Sequence, residues 1–280
     1  MRSRITVTIR EDLLRSIDNM VDGNRIRNRS HALEYVLARA VGSGNTQAVI
    51  LASGEGVKMR PFTYEIPKPL IPVHGKPLLE YTIALLREHG FKDIIITTHH
   101  LSEKIEKHFG DGSQFGVRIQ YVREDSLAGT GVSLWRAKEK LNTSPFLMLY
   151  GDVLINIDLT ELLQTHEAAR SAAATLALTS VTDPGPYGSV RLRGTRIVDF
   201  VEKPDTAGET SPLVFAGCAV LDQRIFELYP KRFSKGLSLE EDIFPKLVKQ
   251  QSLHGYPFEG QWFDVSTPEI YDQVLKSPIR

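Results

Sequence analysis

AVILASGEGVKMRPFTYEIPKPLIPVHGKP, Ala48 to Pro77, is an apolar run that breaks into a glycine-bearing loop and then into two lysines hemmed in by prolines. Ala48–Ala52 have the length and apolar character of a buried strand, and Ser53, Gly54 and Gly56 stand where a strand hands over to a turn. Glycines let a backbone come close to a phosphate and turn its N–H groups inward. Lys58, Lys68 and Lys76 add positive charge within reach of the same loop. A glycine-bearing turn alone is only a turn. Joined to these lysines it reads as a phosphate-handling site.

From Thr46 onward, apolar strands alternate with helical stretches: Leu78–His89, Ile94–Thr98, Glu103–Phe109, Phe146–Tyr150 and Leu159–Arg170. That alternation predicts βαβ units, hence an α/β fold with a mostly parallel sheet and helices on both faces. Ligands of such sheets sit beyond the carboxyl ends of the strands, where the loop after Ala52 and Asp152 would lie. Plainer roles exist for each candidate. Asp152 after its strand fits a turn former or helix cap, Asp264 fits a cap for the helix that Pro268 begins, and Lys76 fits a solvated loop. His99 and His100 are adjacent strand residues that face opposite ways, which favours structural roles. Leu239-Glu240-Glu241-Asp242 reads as a solvated helix start, with sugar contact as the lesser alternative.

Upstream of the sheet the composition changes. The whole chain of 280 residues balances 34 basic against 34 acidic residues, so its net charge advertises no partner. Residues 1–42 instead hold eight arginines against five acidic residues, a net of +3. Residues 43–47 form a short joint, and residues 48–280 form the larger domain. Ile5, Val7 and Ile9 alternate with Arg4, Thr6 and Thr8 as in a strand with one apolar face. Leu13, Ile17 and Met20 follow at helical spacing, and Ser30 is placed to cap a second helix. A lone strand in so short a segment needs a partner, which a second copy of the chain supplies. Cys218 is the single cysteine, which excludes an internal disulfide framework and points to a reducing compartment. No run approaches the roughly 20 apolar residues of a spanning helix, and MRSRITVTIR lacks a signal-peptide core. The expectation is a cytoplasmic protein without a membrane partner.

The order of the motifs in residues 46–280 resembles the sugar-1-phosphate nucleotidyltransferases, or NDP-sugar pyrophosphorylases, whose signature runs A-G-G-x-G-T-R-L-R-P-L-T, P-K-P-L-x-P-V and G-K-P. The matching residues are Ala52 to Thr63, Pro67-Lys68-Pro69-Leu70 and Gly75-Lys76-Pro77. Further on come Gly129-Thr130-Gly131, Gly151-Asp152, Glu202-Lys203-Pro204, Ala216-Gly217 and Trp262-Phe263-Asp264-Val265. The resemblance implies a Rossmann-like sheet and Mg²⁺-dependent attack of a sugar 1-phosphate on the α-phosphorus of an NTP. It implies catalytic roles for Lys58, Lys68 and Asp152, and nucleotide binding by Leu51, Ala52, Ser53, Gly54, Glu55, Gly56, Lys68, Gly129 and Thr130. Sugar-phosphate binding falls to Gly188, Glu202, Lys203, Ala216 and Gly217, and the metal to Asp152 and Asp264. Ser53, Val57 and Lys58 depart from the family's glycine, threonine and arginine, and Phe215 stands where many members have asparagine. Lysine at 58 keeps the charge and loses the bidentate fork.

The strand-helix-helix order of residues 1–42 resembles the ribbon-helix-helix family, which implies a homodimer or higher even oligomer built through this unit. It also implies duplex DNA as a partner, with Arg4, Thr6 and Thr8 at base edges and Arg29 and Ser30 at a phosphate. A plain dimer clasp fits the same unit. Two functional classes follow: a working transferase held as a dimer, or a DNA-binding regulator whose degenerate transferase domain senses a nucleotide or sugar phosphate. Retention of both aspartates, Lys68 and Lys203 favours the enzyme, and Lys58 favours the sensor.

Overall fold

The computed structural model of the chain describes residues 6–23, 26–37, 46–204, 211–230, 233 and 236–279. Two short helices come first, α1 (Glu11–Asn19) and α2 (Arg29–Leu37). The larger domain opens with β1 (Ala48–Leu51), a small hairpin of β2 (Pro72–Val73) and β3 (Lys76–Pro77), and α3 (Leu78–Glu88). Then follow β4 (Asp93–Thr98), α4 (Ser102–Phe109), β5 (Arg118–Arg123), α5 (Thr130–Ala137), β6 (Phe146–Tyr150), β7 (Val153–Ile155) and α6 (Leu159–Ala168). The chain continues through β8 (Ala174–Ser180), β9 (Gly188–Arg193), β10 (Arg196–Glu202), β11 (Leu213–Leu221), α7 (Phe244–Lys249), β12 (Leu253–Pro257), β13 (Trp262–Asp264) and α8 (Pro268–Lys276).

Nine strands form one sheet in the order β5-β4-β1-β6-β11-β8-β12-β10-β9. The first four are parallel, as the βα alternation predicts. The expectation of a mostly parallel sheet is corrected beyond them: β11 runs antiparallel to β6 and β8, and β10 antiparallel to β9 and β12. The reason lies in the connections. Parallel neighbours need a long crossover, usually a helix, whereas a tight turn gives an antiparallel pair. No helix interrupts the described residues between β8 and β11, and β9 turns directly into β10 through Gly194 at φ 62°.

β1 shows why a parallel strand reads as a continuous apolar run. Ala48 and Ile50 point into a core shared with α3, α4 and α6, while Val49 and Leu51 point into the opposite core, shared with α5 and α7. A third, smaller cluster joins Leu154, Val73 and Leu78 to Val265 and Val274 and seats the separate β7–β13 pair. Among the described residues no helix is long and apolar enough to cross a membrane.

The two N-terminal helices pack around Ile17, Ile26 and Ala32, with Val7, Leu13, Val36 and Leu37 exposed. Asn28 rather than Ser30 caps α2, its Oδ1 accepting from His31 N at 3.0 Å. Residues 6–10 lie in no strand, as befits a β segment with no ladder partner in a single chain. Arg4 and Ile5 of the expected ribbon, and 43–45 of the expected linker, lie outside the described residues. Tyr35 of α2 donates its hydroxyl to Asp158 Oδ2 at 2.5 Å, and Asp158 caps α6 by accepting from Thr160 N and Glu161 N.

His166 of α6 is buried against β8, its Nδ1 2.9 Å from Thr175 Oγ1. Burial lowers its pKa from 6.5 to about 4, a shift that Asp222 opposes and Arg224 and His254 reinforce. The fold therefore favours the neutral ring. The unfolded chain takes up the proton as pH drops through 6.5, but the folded one does so only near 4. The stability involved, up to about 3 kcal/mol, is fully present above pH 6.5 and lost as pH falls to about 4. Urea unfolding across this range should show a shallower pH dependence for His166→Gln than for the wild type; equal slopes would contradict the assignment.

Candidate active site

Strand ends bring the motif residues together. Gly151, directly after β6, donates its N–H to Leu51 O at 2.9 Å, and a Cβ at 151 would lie 2.8 Å from that of Ala52. The turn carrying Asp152 therefore emerges beside the glycine-bearing loop. β13 pairs antiparallel with β7, with Asp264 opposite Val153, and Val265 N donates to Asp152 O at 3.0 Å. This register makes neighbours of two carboxylates far apart in sequence. Lys68, held in a short 3-10 turn between Pro67 and Pro69 and only 7% exposed, reaches Asp152 Oδ2 with Nζ at 2.5 Å. Burial and the charge of Asp152 push Asp264 up to about 6, against the pull of Lys68, of its hydrogen bond with Ser266 and of Lys58. The spot is short of positive charge.

The loop before it is fixed from below. Gly56 takes a left-handed φ of 64°, and buried Thr63 donates Oγ1 to its carbonyl at 2.8 Å. Ser53, the departure from glycine, is buried: its hydroxyl donates to Glu124 Oε1 and accepts from Thr97 Oγ1 at 3.0 Å. The other oxygen of buried Glu124 accepts from Arg136 Nη1 at 2.9 Å. A serine here thus ties the loop to the segment leading into α5. Gly54 faces open space, and Glu55 pairs with Arg60 at 3.3 Å.

A cavity of about 420 Å³ opens beyond β1 and β6. Lys58, Asp152, Asp264, Gly129 and Thr130 line it. So do Gly188, Glu202, Lys203, Ala216 and Gly217. The residues from Leu51 to Gly56 lie behind this cavity rather than on its wall, and Lys68 enters it only through Asp152. Lys203 holds a left-handed φ of 45° and places Nζ 3.2 Å from Glu202 Oε1, with its N–H donating to Tyr187 O at 3.0 Å. A non-glycine residue rarely takes that conformation unless its surroundings impose it. A Cβ at Gly188 would stand 3.0 Å from Glu202 Oε2, so glycine there leaves the carboxylate its room. Tyr187 meets Trp262 edge to face at 5.1 Å, and Trp262 Nε1 donates to Ala216 O at 3.0 Å. Phe215 is buried edge-on to both Tyr150 and Phe244.

The plainer readings divide. His99 and His100 are structural, bonded to the carbonyls of Glu124 at 2.6 Å and Thr63 at 2.8 Å. Thr267 caps α8, so Asp264 does not. The expectation of a solvated start at Leu239–Asp242 is corrected. That segment is a π-helical turn capped by Ser238, and it swings Glu240 inward to 9% exposure on the cavity wall. Three consecutive acidic residues carry no periodicity that would have singled out the first of them. Among the described residues no three His, Cys, Asp or Glu side chains gather as a metal cage, so a cation here would draw its remaining ligands from substrate.

Residues 47–277 match the sequence profile of the family described as nucleotidyl transferase. A mannose-1-phosphate guanylyltransferase of Mycobacterium tuberculosis is 34% identical over 227 residues, which are 80% of this chain and 62% of that protein. A UTP--glucose-1-phosphate uridylyltransferase of Synechocystis is 32% identical over 249 residues, 82% of this chain and 62% of the relative. The chain thus spans about 62% of the length of these relatives. Among solved structures, a putative glucose-1-phosphate thymidylyltransferase from Bacillus anthracis superposes with a TM-score of 0.76 at 23% identity, covering 82% of this chain and 94% of that one. At that identity the likeness speaks for the fold alone.

Proposed function

Since this chain belongs to the nucleotidyl transferase family, we propose that it transfers a nucleotidyl group from an NTP to a sugar 1-phosphate, giving an NDP-sugar and pyrophosphate. The observation that carries this is the meeting of Asp152 and Asp264, with Lys68 paired to Asp152, in a cavity that Glu202 and Lys203 also line. A phosphate oxygen of the sugar phosphate forms a bond to the α-phosphorus as the bond to the bridging oxygen of pyrophosphate breaks. No protein nucleophile is required, so the side chains orient two anions in line and neutralise the charge that develops.

Lys68, buried beside Asp152, serves the α-phosphate, Lys58 the departing pyrophosphate and Lys203 the sugar phosphate, while Glu202 accepts from sugar hydroxyls. Two neighbouring carboxylates, of which Asp264 is pushed up by burial and by the charge of Asp152, are a donor set suited to a hard divalent cation, and Asp152 and Asp264 would hold Mg²⁺. Bound there, the ion would neutralise phosphate oxygens and stabilise the leaving group. The base and the sugar remain matters for a substrate matrix. Pyrophosphate release measured across NTPs and sugar 1-phosphates should find at least one productive, Mg²⁺-dependent pair. Asp152→Ala should lower its rate by at least about a hundredfold. Lys58→Arg should preserve or raise turnover and Lys58→Ala should weaken it severely. An Asp152→Ala enzyme as fast as the parent would reject the assignment.

For residues 1–42 we infer a dimerisation unit. Val7, Leu13, Val36 and Leu37 present exposed apolar surface, and residues 6–10 pair with no strand among the described residues. Arg29 spends its guanidinium on Asp18, through Nε and through Nη2 at 2.6 Å, which favours a clasp over a DNA-reading ribbon. Removing residues 1–44 should halve the mass in light scattering while leaving a folded transferase domain. An unchanged mass would place the oligomer contact elsewhere.

A further inference from the structure

Glu240 is a buried carboxylate to which the transfer chemistry assigns no part, although it lines the reaction cavity. Three hydroxyls converge on it. Thr130 Oγ1 at 2.7 Å and Ser238 Oγ at 2.6 Å meet Oε2, and the Tyr150 hydroxyl meets Oε1. Other contacts fix the direction of two of these bonds. Thr130 Oγ1 accepts from Leu239 N at 2.9 Å, and Ser238 Oγ accepts from the N–H groups of Glu240 and Glu241 at 3.1 Å each. Each hydroxyl keeps its one proton for the carboxylate. Oε2 of Glu240 is therefore an acceptor of both bonds, and burial pushes the pKa of Glu240 upward while the Thr130 bond draws it back.

Two of the donors come from different elements, Thr130 from α5 and Tyr150 from β6. Thr130 opens α5 directly after Gly129, on the side assigned to the nucleotide. Tyr150 ends β6 two residues before Asp152 and flanks the sugar side through Phe215 and Gly217. The backbone backs up the first of these contacts. Gly131 N donates to Leu237 O at 2.9 Å, Leu237 N donates to Ala128 O at 2.7 Å, and a Cβ on Gly129 would stand 2.4 Å from Leu237 O.

We propose that Glu240 is a positioning residue, a strut between the Gly129–Thr130 turn and the Tyr150 wall that sets how the nucleotide and the sugar phosphate line up at Asp152. It rests on the transfer reading above. Each half of the cavity keeps its own ligands when the strut fails, so either substrate still binds, but the in-line approach is lost.

The test compares wild type, Glu240→Gln, Tyr150→Phe and the double variant in pyrophosphate release with both substrates varied, with thermal melting as the fold control. Glu240→Gln keeps the shape and sets an amide donor against a hydroxyl donor. It should lower kcat by at least about tenfold while each KM stays within about threefold, and the double variant should be no slower than the worse single one. Three results would overturn the strut: an unchanged kcat, a loss confined to the KM of one substrate, or additive effects of the two substitutions. If Glu240→Gln fails to fold, Tyr150→Phe decides by the same split: a lowered kcat with KM held supports the strut, and wild-type kinetics overturns it. A wild type that turns over beside an unaffected Glu240→Gln removes the strut alone. A wild type silent with every substrate pair removes the transfer reading and the strut with it.

Discussion

The pairing of β7 with β13 is the constraint on which the site depends, because it brings two carboxylates to one point at the end of the sheet. Asp264 lies opposite Val153, and the backbone of Val265 is bonded to that of Asp152. Burial and the neighbouring charge of Asp152 raise the cost of ionising Asp264, displacing it toward 6. Lys68, 2.5 Å from Asp152, offsets part of that cost. What remains is a local demand for positive charge, which a divalent cation carrying phosphates would meet.

The rest of the architecture supplies what surrounds this point. Parallel β1 and β6 end side by side, so the glycine-bearing loop and the Asp152 turn share one edge. The antiparallel strands β9, β10 and β11, with the residue after β10, then carry Gly188, Glu202, Lys203, Ala216 and Gly217 to the same cavity. Polar groups beneath the loop are committed to one another: Ser53 and Arg136 share the buried Glu124, which fixes the loop without occupying the cavity.

The sequence made some of this legible and hid the rest for physical reasons. β1, β4 and β6 announced themselves because strands buried on both faces are short, continuous apolar runs, and α3 and α4 because their apolar residues fall on one face. The later strands were harder. Gly188–Arg193 and Arg196–Glu202 carry arginines and mixed burial, so neither their order nor their antiparallel pairing could be read from local pattern. Asp152, Asp264 and Lys203 became candidates through motif order rather than through any local physical signal. The burial of Glu240 was not legible because a run of acidic residues is usually a solvated face, and only the π-helical turn after Ser238 turns the first of the three inward while Glu241 stays exposed. The role of Ser53 was hidden for a similar reason: its partner Glu124 lies far along the chain.

The central claim is that Asp152 and Asp264 act as one divalent-cation site facing the nucleotide. Mn²⁺ binding, followed by electron paramagnetic resonance in the presence of a non-hydrolysable NTP, tests it without reliance on turnover. The account predicts that Asp152→Asn and Asp264→Asn each weaken Mn²⁺ binding by at least about tenfold, and that the double variant falls little further than the worse single one. A double variant that binds Mn²⁺ as tightly as the wild type would contradict it.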